Sequence, residues 1–199
     1  MNLAEGIRVL GLDLPPGAEE KLRAYLDLLA KWNRVYNLTA IRDADQMVTH
    51  HLLDSLAVLP HLGNAKTLVD VGSGGGLPGL ALAICRPDMQ LASVEASQKK
   101  AAFQQQAKIE LGLANVSIHC SRIEAMTGTY DAAISRAFAE LADFVRLGGH
   151  LTGRLLAMKG AYPQTELDRL PDGWRLADAV KLDVPGLDAE RTLIVLEKT

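Results

Sequence analysis

The sequence predicts an α/β fold: a mostly parallel, seven-stranded sheet preceded by a helical extension. Three observations carry that expectation. From Thr67 onward, short apolar runs alternate with helix-length segments, which implies right-handed crossovers and a sheet covered on both faces. Segments 174–184 and 191–197 are both strand-like, and the 185–190 link between them is too short for a crossover helix, so they form an antiparallel hairpin. The stretches 15–36 and 43–62 show helical periodicity and no strand signal.

Taken in order, 15–36 reads as a helix. Pro15 and Pro16 sit where a helix can start, and Leu22, Tyr25, Leu26, Leu29, Trp32 and Tyr36 recur at three- and four-residue steps. On that apolar stripe Trp32 and Tyr36 are expected in the core rather than as base-stacking platforms. A second helix is predicted over 43–62, with Met47, His51, Leu52 and Leu56 on one side. Strand 67–71 ends in glycines, and helix 77–85 is stopped by Arg86-Pro87. Strand 91–95 precedes helix 99–111, which ends at Gly112. Strands 116–119, 130–135 and 151–159 follow, with a helix ending at Gly148-Gly149 before the last of these. Residues 192–196 are apolar on both faces, so the final strand should insert inside the sheet. A helical extension over 1–65 and a ligand-binding domain over 66–199 are the expected units.

Composition narrows the class. A chain of 199 residues, 48% hydrophobic and 23% charged, suits one globular domain. No apolar run approaches the ~20 residues that span a bilayer, and the start lacks a signal-peptide pattern. Cys85 and Cys120 have no metal-ligand spacing and read as reduced core residues, so neither a metal site nor a membrane is expected, and the cytoplasm is. Net charge of −3 argues against a protein that holds nucleic acid by bulk electrostatics alone. Residues 96–160 nevertheless hold eight basic groups against five acidic ones, which suits either a local anion-binding face or solvated helix surfaces.

The strongest signal is Asp70-Val71-Gly72-Ser73-Gly74-Gly75-Gly76-Leu77-Pro78-Gly79, which closes a strand and opens a helix. Glycines there admit positive φ and close approach of a ligand to the helix N-terminus. Gly74-x-Gly76-x-x-Gly79 fits a dinucleotide fingerprint, with Glu95 placed as its ribose-binding acid. Asp70-x-Gly72-x-Gly74-x-Gly76 fits the S-adenosylmethionine pattern, again with Glu95 at the ribose, and the glycines alone do not decide. Three other features favour S-adenosylmethionine. Asp70 stands where a carboxylate would help hold a cationic ligand. The terminal hairpin is typical of Rossmann-like class I methyltransferases. Finally, the length leaves no room for a dehydrogenase's substrate domain.

The same glycine segment resembles the first motif of the RsmG family (glucose-inhibited division protein B), small-subunit 16S ribosomal RNA guanine-N7 methyltransferases. So do Trp32-Asn33-Arg34-Val35-Tyr36-Asn37-Leu38-Thr39, Asp43, and His51-Leu52-Leu53-Asp54-Ser55-Leu56. Lys99-Lys100-Ala101-Ala102-Phe103, Ser121-Arg122-Ile123-Glu124, Ile134-Ser135-Arg136-Ala137 and Met158-Lys159-Gly160 continue in order and spacing. The likeness covers roughly 29–159 and, more loosely, the hairpin. Gln98 and Gln104 stand where the family usually has a small residue and a leucine, and the chain before Leu22 diverges.

The resemblance implies that Gly72, Gly74, Gly76 and Leu77 line the amino-acid end of S-adenosylmethionine, Ile123 and Glu124 flank its adenine, and Arg136 closes the site near the methyl donor. S-adenosylhomocysteine would be the product. Guanine N7 carries a free lone pair and no proton, so transfer should need positioning rather than a general base or a covalent intermediate. Asn37 and His51 would wall the substrate pocket, while Lys99, Lys100, Arg122 and Lys159 would meet RNA of a small ribosomal subunit. Small-molecule or protein methylation, and a non-catalytic assembly factor, are alternatives on the same fold. The modest charge leads us to expect a monomer.

Overall fold

The computed structural model describes residues 1–199 except Ala137 and Ala139, so the Ala137 end of the Ile134–Ala137 motif lies outside the described residues. The sheet has seven strands: β1 Thr67–Val71, β2 Gln90–Val94, β3 Val116–His119, β4 Ala132–Ser135, β5 Arg154–Lys159, β6 Trp174–Lys181 and β7 Thr192–Lys198. Their order is β3-β2-β1-β4-β5-β7-β6. The first five run parallel. β7 is antiparallel to both β5 and β6 and lies between them, as its two apolar faces imply.

Alternate residues of each strand feed two cores. On one face Leu68, Leu91, Ile134, Leu156 and Leu193 meet α5 (Gly79–Cys85) and α6 (Gln98–Glu110). The N-terminal helices α1 (Leu3–Val9) and α2 (Ala18–Tyr36) add Leu3, Leu22 and Tyr25 to that same cluster, so the extension and the sheet share one core. On the other face Val69, Val71, Val94 and Ile194 meet Phe144 and Val145 of α7 (Leu141–Gly148).

The extension departs from the expected pattern in two places. α1 was not predicted: it is only seven residues long and carries Gly6 in its interior, which weakens a helical signal. Gly6 is needed there, because a Cβ would collide with the Leu53 side chain. The single helix expected over 43–62 is instead α3 (Ala44–Met47), a π-helical stretch Val48–Leu53, α4 (Asp54–Leu56) and a 3₁₀ turn Leu59–His61. Asp43 caps α3 by accepting from Gln46 N. The widened π turn re-aims the residues after it, a device frequent at functional sites. A four-residue helix α8 (Gln164–Leu167) follows β5.

Two core assignments are corrected. Tyr36 is 42% exposed, because the last turn of α2 overhangs the elements beneath it. Cys120 is exposed past the end of β3, whereas Cys85 is buried on α5. Among the described residues no helix is long and apolar enough to cross a membrane.

Candidate active site

The site is built at the C-terminal edge of β1, β2 and β4. Beyond β1 the chain turns back, with Gly72 N and Ser73 N both donating to Val94 O of β2 at 3.0 and 3.1 Å. Gly76 has φ +91°, and a Cβ there would strike Leu80, so only glycine makes this bend. Asp70, expected to help hold the ligand, is fully buried beneath the turn and lines none of the cavities described below. Its Oδ2 accepts from Gly79 N at 2.7 Å, so it caps the start of α5 and fixes the turn from below. Its Oδ1 has no hydrogen-bond partner among the described residues, and burial pushes the carboxyl up to about 7.

Three side chains hold the turn from above. Glu95 accepts from Gly74 N at 2.8 Å through Oε2 and from Ser97 N at 2.8 Å through Oε1. Tyr25 of α2 donates its hydroxyl to Gly75 O at 2.6 Å. Gln104 of α6, fully buried, donates to Gly74 O at 2.7 Å and to Ser73 Oγ at 2.8 Å, and accepts from Ser93 Oγ at 2.5 Å.

Three adjoining cavities, linked by shared lining residues, open at this edge. One of about 320 Å³ is lined by Gly72, Glu95, Arg122, Ile123, Glu124 and Phe138. A middle one of about 170 Å³ is walled by Gly72, Gly74, Leu77, Thr39, His51 and Arg136. The third, about 330 Å³, is walled by His51, Asp54, Arg136, Lys159, Gly160 and Arg191. Gly72 is common to the first pair, while His51 and Arg136 are common to the second pair.

At that second junction the charges are organised by Asp54, which is 1% exposed. Its Oδ2 meets Arg136 Nη1 at 3.3 Å, and its Oδ1 accepts from Arg191 Nε at 2.8 Å. Arg136 Nη1 also donates to His50 O at 3.1 Å. His51 pairs Nε2 with Thr39 Oγ1 at 3.0 Å, while its buried Nδ1 has no hydrogen-bond partner among the described residues. Burial, reinforced by the neighbouring Arg136 charge, lowers its pKa to about 4, so the ring is neutral at pH 7.

The structure thus gathers Gly72, Gly74, Leu77, Glu95, Ile123, Glu124, His51 and Arg136 around two cavities that share Gly72. Arg122 joins the Glu95 end rather than the Arg136 end. Lys159 reaches the third cavity but is ion-paired to Glu166 Oε1 at 2.8 Å, which neutralises it. Asn37 ends α2 in the left-handed region and accepts from Arg42. Lys99 and Lys100 lie on the first turn of α6 and line none of the three cavities. Asp54, Arg191, Tyr25 and the bonding role of Gln104 were not singled out from sequence. A carboxylate inside the apolar run 51–58 was the one available signal, for Asp54.

A seven-stranded sheet with a reversed β7, and a glycine turn facing an acid just past the end of β2, define a class I S-adenosylmethionine-dependent methyltransferase fold. Solved structures agree. TrmN from Thermus thermophilus matches with a TM-score of 0.60 and 20% identity, over 73% of this chain and 48% of that one. A SAM dependent methyltransferase from Aquifex aeolicus matches with a TM-score of 0.60 and 15% identity, over 78% and 94%. Within that class, the family described as rRNA small subunit methyltransferase G (GidB) matches residues 18–195, and the chain belongs to it. The Ribosomal RNA small subunit methyltransferase G of Aromatoleum aromaticum is 58% identical over 99% of this chain and 98% of its own length. That of Neisseria meningitidis serogroup C is 54% identical over 99% and 97%.

Proposed function

We propose that the protein transfers the methyl group of S-adenosylmethionine to N7 of a guanine in 16S ribosomal RNA, leaving S-adenosylhomocysteine. The observation that carries this reading is the series of three adjoining cavities joined at Gly72 and at His51–Arg136. Such a series suits an elongated cofactor in the first two and an acceptor base in the third.

The residues present fit that cofactor. A Cβ on Gly74 would project into open space, and Gly74 lines the middle cavity, so glycine keeps room there for a ligand. Glu95 accepts from ribose hydroxyls, and Ile123 and Glu124 flank the adenine. Gly72, Gly74 and Leu77 line the amino-acid end, and Gly76 and Asp70 act through the turn. When bound, S-adenosylmethionine supplies an electrophilic sulfonium methyl. Arg136 and neutral His51 stand at the passage between cofactor and acceptor, where they orient the base. No side chain needs to remove a proton, because N7 has none. Holding two reactants in line can contribute roughly 7–11 kcal/mol.

On this reading Lys99, Lys100 and Arg122 meet RNA phosphates, Asn37 and His51 shape the pocket, and Lys159 acts through its pair with Glu166. The protein works as a monomer in the cytoplasm, on the small ribosomal subunit or its RNA. The test is tritiated-methyl transfer to small subunits from a strain lacking this enzyme, with digestion of the product to nucleosides. Label in 7-methylguanosine is the expected result. Cofactor binding with no label in RNA would move the search to small acceptors.

A further inference from the structure

An aromatic ladder leads from the core to the surface at the end of α2. Its innermost ring is Phe103 of α6, fully buried, with centroids 6.0 Å from Tyr25 and 5.7 Å from Trp32. Half-buried Trp32 packs in turn on Tyr36, one helical turn on, at 5.2 Å with planes 36° apart. Tyr36 is the outermost rung, and its neighbour Val35 is 70% exposed. Tyr36 itself is 42% exposed, and an exposed ring stacked on a packed one behind it offers surface for one more planar group.

The surroundings indicate what that group is. Residues 28–42 carry Lys31, Arg34 and Arg42 and no carboxylate. α6 carries Lys99, Lys100 and Lys108 and no carboxylate before Glu110. Lys99 and Lys100 lie four and three residues ahead of Phe103, and so flank the stripe that packs on α2. In a chain of net charge −3, the acid-free stretch from Leu28 to Arg42 and the α6 residues ahead of Glu110 supply cations on the two helices that carry these rings, which complements a polyanion carrying planar bases. Tyr36 also lies close to the site. Thr39, which walls the middle cavity, is three residues further on, at most about 11 Å of chain.

We propose that Tyr36 is a stacking platform for an unpaired base of the RNA substrate near the target nucleotide, with Lys99 and Lys100 of the packed helix α6 holding its phosphates. The proposal rests on RNA being the substrate. A duplex buries its base faces, so the docked segment is single-stranded or looped. Stacking tolerates any base and adds hold without adding sequence readout.

The test compares full-length wild type, Tyr36→Ala and Tyr36→Phe in methylation of small subunits, alongside cofactor binding by calorimetry. Tyr36→Ala should raise KM for the subunit about tenfold, with the effect in KM rather than kcat and the cofactor Kd held. Tyr36→Phe should restore KM to within about twofold, because the ring and not the hydroxyl stacks. Lys99→Gln should lower the salt dependence of binding by about one unit of slope. An unchanged KM in Tyr36→Ala would overturn the proposal, as would Tyr36→Phe behaving like Tyr36→Ala. Equal binding of wild type and Tyr36→Ala to protein-free 16S RNA, with loss confined to the intact subunit, would assign the ring to a ribosomal protein instead. Failure of the wild type to methylate RNA would sink the functional reading itself, whereas an active wild type beside an indifferent Tyr36→Ala sinks the stacking alone.

Discussion

The side-chain amide of Gln104 donates to the carbonyl oxygen of Gly74 at 2.7 Å and thereby ties α6 to the turn that ends β1. The same amide donates to Ser73 Oγ, while its carbonyl accepts from Ser93 Oγ. All of this lies at a fully buried position. With the Gly74 carbonyl held inward, the Gly74 N–H is directed at Glu95, the acid assigned to the ribose.

Gln104→Leu keeps the volume and removes those bonds. It leaves the buried Ser73 and Ser93 hydroxyls without their amide partner, a cost of about 1–3 kcal/mol, and frees the Gly74 carbonyl. The expected outcome is lower stability in urea titration and a severalfold weaker cofactor Kd, with kcat at saturating cofactor little changed. A variant that loses stability but keeps its cofactor Kd would show that the network holds the core and not the turn.

Gly79→Ala probes the turn from beneath. An added Cβ would lie 2.6 Å from Asp70 Oδ2 and 2.9 Å from Asp70 Cβ, and both atoms are enclosed. The backbone of α5 must then shift and lengthen the Asp70–Gly79 bond. Overpacking of this kind costs about 1–3 kcal/mol, and loss of cofactor binding should accompany it. Thermal unfolding with and without cofactor checks both effects.

Much of the fold was legible because burial writes itself into apolar runs. β1 and β3 were bounded correctly from sequence, and the place of β7 between two strands followed from its two apolar faces. The extension was harder to read. Its period is broken by the π-helical stretch Val48–Leu53, and no local pattern announces an extra residue in a turn. Tyr36 lies on the same stripe as Tyr25 yet faces solvent, because periodicity gives a direction and not what lies in that direction. The site divides the same way. Glycines and Glu95 are marked by spacing along the chain, but Arg191 meets Asp54 across 137 residues, a contact only the folded topology creates.

Two buried titratable groups act in opposite senses on stability. Asp70 keeps its proton up to about pH 7 when folded, against an ordinary value of 3.8, so the folded state binds more protons in between. Stability from this group therefore falls as pH rises from about 4 to 7, by at most about 1.4 kcal/mol per unit. His51 takes a proton only near pH 4 when folded, against 6.5, so the unfolded state binds more and stability rises with pH over 4 to 6.5. Wild type should be nearly flat where the windows overlap. Asp70→Asn should gain stability with rising pH, and His51→Gln should lose it. Urea titrations at pH 4.5, 5.5 and 6.5 decide, and parallel slopes in all three proteins would refute the assignment.

Asp54 permits the sharpest test of the acceptor cavity. Its carboxylate is almost wholly buried, while Arg136 and Arg191 on either side keep about a quarter of their side-chain surface exposed. Removing the carboxylate leaves two guanidiniums facing each other across the cavity wall. Breaking a fully buried pair costs about 3–5 kcal/mol, and partial exposure of the arginines should bring this case below that range. Asp54→Asn keeps the shape, so its effect isolates charge. It should reduce methyl transfer through misplacement of Arg136, while adenosine binding at Glu95, two cavities away, stays near wild type. Arg191→Met added to Asp54→Asn removes one of the stranded charges and should recover part of the lost stability. The coupling between the two substitutions, within the roughly 0.5–3 kcal/mol usual for contacting residues, measures the clamp directly. Strict additivity would mean that Arg191 and Asp54 merely lie side by side.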